Sequence, residues 1–273
     1  MDITLLGTGS PIPDPMRAGP STLVRCEGSN LLADCGRGVL MRLAAAGLLP
    51  SMLSAVLITH LHSDHLTDLN DVLTTQWVMN EEPSTLRVFG PSGIRGVVDA
   101  TLGALSADIG YRLEHHADLS WEPIVEVTEV APGDRFEVGP AHVRVGATDH
   151  RPVEPTVAYR IEGDGGAVVL GGDGVPCAGL DELCRGADVY VQTVIREDLV
   201  RRVPNARFRD IVDYHSSVED AARTAARAGV GTLVLTHYVP PMAPDQAEDW
   251  RALAAAHFAG EIVLGDDLTS VNP

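Results

Sequence analysis

Three histidines and an aspartate crowd one short stretch of the sequence, Thr59-His60-Leu61-His62-Ser63-Asp64-His65. An apolar run at 55–58, typical of a buried strand, leads into it, and a helix-like apolar spacing follows. Alternate residues of an extended segment point the same way, so His60 and His62 can hold one ion, while Asp64-His65 lies past the bend and can face a second. Ordinary turn packing explains this stretch poorly, because histidine is not a preferred core residue. Imidazole and carboxylate together suit Zn²⁺, with Mn²⁺ or Fe as substitutes.

Three later strand-like runs end in further candidate ligands. One run ends shortly before His150, and another reaches Gly171-Gly172-Asp173-Gly174, where glycines allow close backbone approach and Asp173 can bridge two metals. An Asx turn is the alternative for this second pattern. The third run ends Thr236-His237, which echoes Thr59-His60. The echo predicts two related β/α halves that feed ligands into one cleft.

The composition predicts one acidic domain over residues 1–273. Hydrophobic residues make up 45% of the chain, enough for a sizeable core, and we find no linker or low-complexity tract. There is no secretory signal and no apolar run long enough to cross a membrane, so we expect a cytoplasmic location. The four cysteines form no CxxC pair, and we expect buried thiols. The net charge of -18 disfavours nucleic acid, and the absence of lysine excludes Schiff-base and P-loop chemistry.

Local positive charge is concentrated in one stretch. Five of the 20 arginines lie in 196–209, where an anionic substrate can bind, although a solvated loop is the alternative. We take Arg207 and Arg209 there, and Arg17 in the proline-rich loop after a first strand, as candidates for substrate contact. Residues 106–123 break the β/α pattern, which indicates either an irregular lid or a surface loop packed on the core. His215 directly precedes a helix that begins with a capping box.

These residues resemble the metallo-β-lactamase superfamily, and within it the ribonuclease Z and arylsulfatase-like branch. The resemblance covers nearly the whole chain, in the family's order, and includes Leu5-Leu6-Gly7-Thr8-Gly9-Ser10, Asp34-Cys35-Gly36 and His215-Ser216-Ser217. It implies an αββα sandwich, in which two mixed β-sheets pack face to face with helices outside.

The resemblance also implies roles for the candidate ligands. Two Zn²⁺ per chain are expected, one bound by His60, His62 and His150, the other by Asp64, His65 and His237, with Asp173 bridging. Asp64 would also accept a proton from the attacking water, and His215 would protonate the leaving oxygen.

Three departures from the family pattern qualify the expected function. The segment 151–172 is too short for the arm with which ribonuclease Z grips tRNA, Thr193 stands where a glutamate normally partners the proton-donor histidine, and Gly174 replaces the usual threonine. We expect a dinuclear zinc phosphodiesterase resembling ribonuclease Z, acting on RNA or a small anionic ester, as a homodimer. The alternatives are a small-molecule aryl sulfatase or lactonase and, from another class, a non-catalytic metal-binding regulatory protein.

Overall fold

A computed structural model describes residues 1–273 apart from the side chain of residue 244, and in this described part the strands form two seven-stranded sheets. The strands are β1 (Asp2–Gly7), β2 (Ser21–Cys26), β3 (Ser29–Ala33), β4 (Ala55–Leu57), β5 (Thr85–Gly90), β6 (Ile124–Glu129), β7 (Arg135–Val138), β8 (Ala141–Ala147), β9 (Val157–Gly163), β10 (Gly166–Leu170), β11 (Val189–Ile195), β12 (Thr232–Val239), β13 (Glu261–Leu264) and β14 (Ser270–Val271). The α-helices are α1 (Val39–Ala45), α2 (Ser63–Leu66), α3 (Leu69–Val78), α4 (Ile94–Ala104), α5 (Ser106–His115), α6 (Ala178–Cys184), α7 (Glu197–Val200), α8 (Ala206–Arg209), α9 (Val218–Ala228) and α10 (Ala247–Ala255). Short 3-10 turns occupy Pro50–Met52, Asp210–Asp213 and Pro244–Gln246.

The two sheets repeat one pattern of strand pairing. The first has the order β14-β1-β2-β3-β4-β5-β6 and the second β13-β12-β11-β10-β9-β8-β7. In the first sheet the pairs from β14 to β3 are antiparallel and those from β3 to β6 are parallel. In the second, the pairs from β7 to β10 are antiparallel and those from β10 to β13 are parallel. The predicted two halves are therefore present as two sheets of matching topology.

Three apolar layers hold the sandwich together. Side chains such as Leu57 and Val168 lie in the cluster between the sheets, and Val56 and Val169, their chain neighbours, lie in the clusters on the outer faces. Because successive residues of a strand point to opposite faces, strands covered on both sides must be apolar throughout. Helices α1, α3 and α4 cover the first sheet, and α6, α9 and α10 cover the second. The αββα sandwich expected from the sequence is confirmed.

The region 106–123 differs from the sequence expectation in its first half. Residues 106–115 form the regular helix α5 rather than an irregular segment. Ile109 and Leu113 are spaced for one helix face, and the ion pair of Arg112 with Asp108 at 2.8 Å supports that helix across one turn. Tyr111 on this helix is 70% exposed, so its ring does not pack on the core.

Helix α9 begins and ends as its sequence predicts. Ser217 is the N-cap and forms a reciprocal capping box with Asp220, and Gly229 follows the helix with a φ of 68°. An L-residue with a side chain is strained at that angle, whereas glycine is not. The helix therefore starts immediately after His215-Ser216, which fixes where those two side chains lie. Within the described residues, no helix combines the length and apolar character needed to cross a membrane.

Two glycine-to-alanine substitutions with opposite expected effects on the free energy of unfolding test the assignment of Gly229 as the C-terminal cap of α9. Gly229→Ala should lower the free energy of unfolding by about 1–2 kcal/mol, because alanine is strained at a left-handed angle. Gly96→Ala, in the exposed middle of α4 with open space around it, should raise it by about 0.5–1 kcal/mol. Urea unfolding of both variants measures the effect, and equal effects at the two positions would contradict the assignment of Gly229 as the C-terminal cap.

Candidate metal centre

Seven donor side chains from both sheets meet at one edge of the sandwich. His60 follows β4, His150 follows β8, Asp173 follows β10 and His237 lies near the end of β12, so each stands at the carboxyl end of a strand. The remaining three donors flank or form the one-turn helix α2. The donor atoms fall into two groups, each within 4.8 Å, and the groups are His60, His62, His150 and Asp173, and Asp64, His65 and His237.

Asp173 lies at the centre of this cluster. Its Oδ2 atom is 3.8 Å from Nε2 of His60 and 4.0 Å from Nε2 of His150, both in the first group. The same oxygen is 3.6 Å from Nε2 of His65 and 3.7 Å from Nε2 of His237, in the second group. One carboxylate therefore faces both groups, as a bridging ligand must.

A second buried carboxylate, Asp34, fixes two of the imidazoles from behind. Nδ1 of His65 donates to Asp34 Oδ2 at 2.8 Å. The Thr59 hydroxyl donates to the same oxygen at 2.9 Å, so it accepts from Nδ1 of His60 at 3.0 Å. Because Nδ1 carries the proton in both rings, Nε2 is left as a free donor atom directed into the cluster.

A backbone carbonyl orients a third imidazole in the same way. Nδ1 of His150 donates to the carbonyl of Tyr214 at 2.7 Å, which leaves Nε2 facing inward. His62 presents Nδ1 instead, at 3.3 Å from Nε2 of His150 and 3.1 Å from Nε2 of His60. The ring nitrogens of three histidines thus converge within a space that suits one ion.

Unpaired atoms in both groups also fit bound cations. Oδ1 of Asp173 in the first group and Nε2 of His65 in the second are buried and have no hydrogen-bond partner. A buried polar atom without a partner is costly, and a metal ion is one of the standard ways to satisfy it. Nitrogen and oxygen donors without a thiolate are the set expected for Zn²⁺, Mn²⁺ or Fe. The residues present therefore fit a pair of divalent cations.

The cluster keeps its carboxylates ionised despite burial. Burial alone would raise the pKa of Asp173, but the imidazoles of His237 and His65 hold it well below its usual range. Burial likewise acts to raise the pKa of Asp64, but its hydrogen bond with His237 and the nearby imidazole of His65 lower this pKa instead. Both carboxylates are thus charged acceptors near neutral pH.

The imidazoles of the first group are held in the neutral form. Burial and the neighbouring His65 lower the pKa of His60 well below its usual value. Burial lowers the pKa of His62, and for His150 it lowers the pKa to about 4, although Asp173 opposes the shift in both rings. A neutral imidazole is the form that binds metal, because a protonated ring offers no lone pair.

Strained backbone angles occur at the same edge. Asp34 and His237 are non-glycine residues with φ of 58° and 57°. Gly172 and Gly174 have φ of 64° and 150°, and a Cβ on Gly174 would lie 2.8 Å from the carbonyl oxygen of Asp149. Such angles persist only where the surroundings enforce them, and they cluster at functional sites. The glycine at 174 is therefore a requirement of this chain's local geometry.

His215 lies beside the cluster without the expected glutamate partner. Its Nδ1 donates to the carbonyl of Ile211 at 3.0 Å, and its Nε2 is 3.3 Å from Asp173 Oδ2. Thr193, aligned with the missing glutamate, donates instead to the carbonyl of Gly172 at 2.8 Å. Within the described side chains, the backbone carbonyl of Ile211 thus orients His215, in place of the glutamate that the family resemblance implies at position 193.

The predicted substrate-contact arginines occupy different surroundings. Arg17 is only 11% exposed, and it donates to Thr8 at 2.6 Å and to Asp266 at 2.6 Å. Its role in substrate contact stays a prediction, because these internal partners already use much of the guanidinium. Arg207 and Arg209 are exposed on α8, and Arg209 donates to the carbonyl of Val203 at 2.8 Å.

Sequence reasoning missed the groups that orient the ligands. The position of Asp34 near the ligands could have been predicted, because Asp34 follows an apolar strand-like run, as the candidate ligands do. That strand, β3, lies parallel to β4, and the carboxyl ends of parallel strands meet at one edge of the sheet. The contacts of the Tyr214 and Ile211 carbonyls could not have been predicted, since every residue has a carbonyl.

Comparison with known proteins places the chain among relatives of the same length. The family described as "Beta-lactamase superfamily domain" matches residues 29–238. A protein named ribonuclease Z from Mycobacterium bovis is 58% identical over 273 residues, which cover 99% of this chain and 98% of that protein. Ribonuclease Z from Mycobacterium tuberculosis is 57% identical, with 99% and 97% covered.

Solved structures share the fold at lower identity. A metallo-β-lactamase-fold protein from Bacillus subtilis superposes with a TM-score of 0.76 at 21% identity, covering 100% of this chain and 98% of that one. Human tRNase Z, short form, superposes with a TM-score of 0.71 at 24% identity, covering 99% and 98%.

The position of Asp34 behind two imidazoles gives a direct test of the metal centre. Asp34→Asn keeps the shape of the side chain but removes the charge that holds His65 and, through Thr59, His60. We expect metal affinity to fall about 10–100-fold, as for other partners of metal-binding histidines. Competition with a chromogenic chelator measures this. Asp68→Asn, a change at a residue that bonds the backbone of Gly38, is the control, and equal losses in both variants would refute the orienting role.

Proposed function

This chain belongs to the ribonuclease Z family within the β-lactamase superfamily, and we propose from this premise that it is a metal-dependent phosphodiesterase that cleaves RNA. The observation that carries the proposal is the single carboxylate of Asp173, which faces two groups of nitrogen and oxygen donors. Such an arrangement suits two cations sharing one bridging ligand, the pattern used for phosphodiester hydrolysis.

We propose two Zn²⁺ per chain as the resident metals. His60, His62 and His150 would hold one, and Asp64, His65 and His237 the other, with Asp173 between them. When bound, the pair supplies Lewis acidity that activates water and stabilises negative charge on the phosphoryl group.

Two of the chain's own groups would move protons. Asp64 is ionised, its Oδ2 atom lies 3.2 Å from His237 Nε2, and we propose that it accepts the proton of the attacking water. His215 would give a proton from Nε2 to the leaving oxygen, since its Nδ1 is already committed to the carbonyl of Ile211. Proton transfer by a positioned side chain typically contributes about 10²–10⁴ in rate.

The choice of RNA as substrate rests on the relatives. The relatives named ribonuclease Z match this chain over nearly their whole length. They therefore have no large insertion that this chain lacks. The shortness of the segment after His150 does not distinguish this chain from them. In the structure that segment leads directly into the β9–β10 hairpin. We propose a tRNA precursor, cut at its 3′ side, as the physiological substrate.

Exposed arginines near the site would bind the RNA backbone. Arg207 and Arg209 lie in the arginine-rich stretch of a protein whose net charge is -18, and phosphate contacts by arginine supply much of the affinity for RNA. We keep the homodimer and the cytoplasmic location within this proposal. The four cysteines are free, which agrees with a reducing compartment.

Two alanine substitutions test the assignment of the ligands. His62→Ala removes a donor of the first group, and Asp64→Ala removes both a donor of the second group and the proton acceptor. We expect each variant to lose activity by about 10³-fold or more, because catalytic groups that act as a unit do not compensate for one another. His257→Ala, at an exposed histidine that follows the end of α10 and contacts Arg223, is the matched control and should retain full activity. Retention of activity by either site variant would contradict the assignment.

A substrate panel separates the proposed activity from its alternatives. Zinc- and manganese-loaded protein would be assayed with a tRNA precursor, bis(p-nitrophenyl) phosphate, p-nitrophenyl sulfate and a lactone. We expect cleavage of the precursor at its 3′ side and slower turnover of the phosphodiester. Turnover of the sulfate ester or lactone without RNA cleavage would favour a small-molecule hydrolase. The net charge of -18 supports this alternative, because an acidic protein repels nucleic acid. Metal binding without any turnover would favour a regulatory role.

A further inference from the structure

One surface segment, residues 196–214, connects β11 to His215 and is here called the arginine segment. It consists of the four-residue helices α7 and α8 and a 3-10 turn at Asp210–Asp213, and it carries five arginines. Two of these arginines are paired with acids inside the segment, Arg196 with Asp198 at 2.7 Å and Arg201 with Glu197 at 2.6 Å.

The arginine segment contacts the metal cluster through its backbone. The Tyr214 carbonyl accepts from Nδ1 of His150 at 2.7 Å, and the Ile211 carbonyl accepts from Nδ1 of His215 at 3.0 Å. These two contacts set the direction of two Nε2 atoms, one in the first ligand group and one beside Asp173. The direction of both rings therefore depends on where the last four residues of the segment lie.

A small apolar cluster fixes that position. Ile195, Val200 and Val239 are buried there, and Phe208 and Ile211 pack against them, together with Ile12 and Val212. The cluster is separate from the three layers of the main core. Phe208 is the largest side chain in it, so its ring supplies the greatest apolar area that holds the segment down.

We propose that Phe208 is a positioning residue for the reaction, and that through it the arginine segment presents His150 and His215 in their working orientation. This inference rests on the proposed function. Phe208 touches neither substrate nor metal, and it acts by keeping the carbonyls of Ile211 and Tyr214 in register with the two rings. Its neighbours Arg207 and Arg209 are exposed on the same one-turn helix, so the arginine segment would both bind RNA phosphates and orient the two imidazoles.

Mutation of Phe208 and mutation of Arg207 should change different kinetic constants. Loss of Phe208 should lower kcat both for a tRNA precursor and for a small phosphodiester, because cleavage of either substrate needs the imidazoles of His150 and His215 in place. Loss of the Arg207 charge should raise KM for RNA, because phosphate binding outside the scissile bond is uniform binding. A residue that served stability alone would show neither pattern.

Kinetics of Phe208→Ala and Arg207→Gln on a tRNA precursor and on bis(p-nitrophenyl) phosphate test this division. We expect Phe208→Ala to lower kcat about 10–100-fold on both substrates with little change in KM, since misplacement by about 1 Å can cost 10²-fold. Phe208→Leu should recover most of the loss. Phe136→Ala, at a partly buried ring stacked on Phe89 away from the site, is the control and should leave kcat unchanged.

Nuclear magnetic resonance of the zinc-loaded protein gives a second result that does not depend on turnover. The Nδ1–H protons of His150 and His215 should give slowly exchanging signals in the wild type and in Phe136→Ala, and these should broaden or disappear in Phe208→Ala. Wild-type kcat together with unchanged signals in Phe208→Ala would overturn the positioning role. Failure of the wild type to cleave either substrate would instead refute the proposed function, while the signals would still decide the role of Phe208.

Discussion

Five imidazole nitrogens surround one buried carboxylate oxygen, that of Asp173, at distances from 3.3 to 4.0 Å. This crowding is the constraint on which the rest of the site depends. Polar groups buried this closely are costly unless each finds a partner, and within the described protein Nε2 of His65 and Oδ1 of Asp173 have none. Bound cations would satisfy those two atoms. The surrounding hydrogen bonds keep the rings turned so that their free nitrogens face inward.

The orienting hydrogen bonds come from outside the cluster, and the fold supplies them. Asp34 follows β3 and Asp173 follows β10, and each of these strands stands where its sheet changes from antiparallel to parallel pairing. One of the two equivalent aspartates therefore faces the donor groups directly, while the other supports two imidazoles from behind. His150 and His215 are oriented by backbone carbonyls of the arginine segment.

The family resemblance predicts the sandwich, and strong local signals predict that the seven candidate ligands converge. Apolar runs that end in His or Asp place those residues at strand ends, and parallel strand ends meet at one edge of a sheet. The two sheets do match in topology, but the echo of Thr59-His60 in Thr236-His237 is not the reason. By position in its sheet β4 corresponds to β11 and β12 corresponds to β5, so the two echoing strands are not equivalent.

Other features were beyond sequence reasoning for physical reasons. Helix α5 is difficult to recognise from the sequence because none of its residues is fully buried and its apolar face is limited to a few residues such as Ile109 and Leu113. Thr193 offers His215 no carboxylate, and the carbonyl of Ile211 that orients His215 could not be predicted, because a carbonyl contact depends on the path of the backbone and not on the identity of a side chain. The link between Phe208 and the cluster depends on the same backbone path.

Metal analysis of the purified protein, combined with anomalous diffraction at the zinc edge, tests the central claim most directly. The account predicts two ions per chain, one on each side of Asp173, bound by the two groups of donors. A protein that carries no transition metal after incubation with excess zinc, or one whose ions lie away from Asp173, would contradict it.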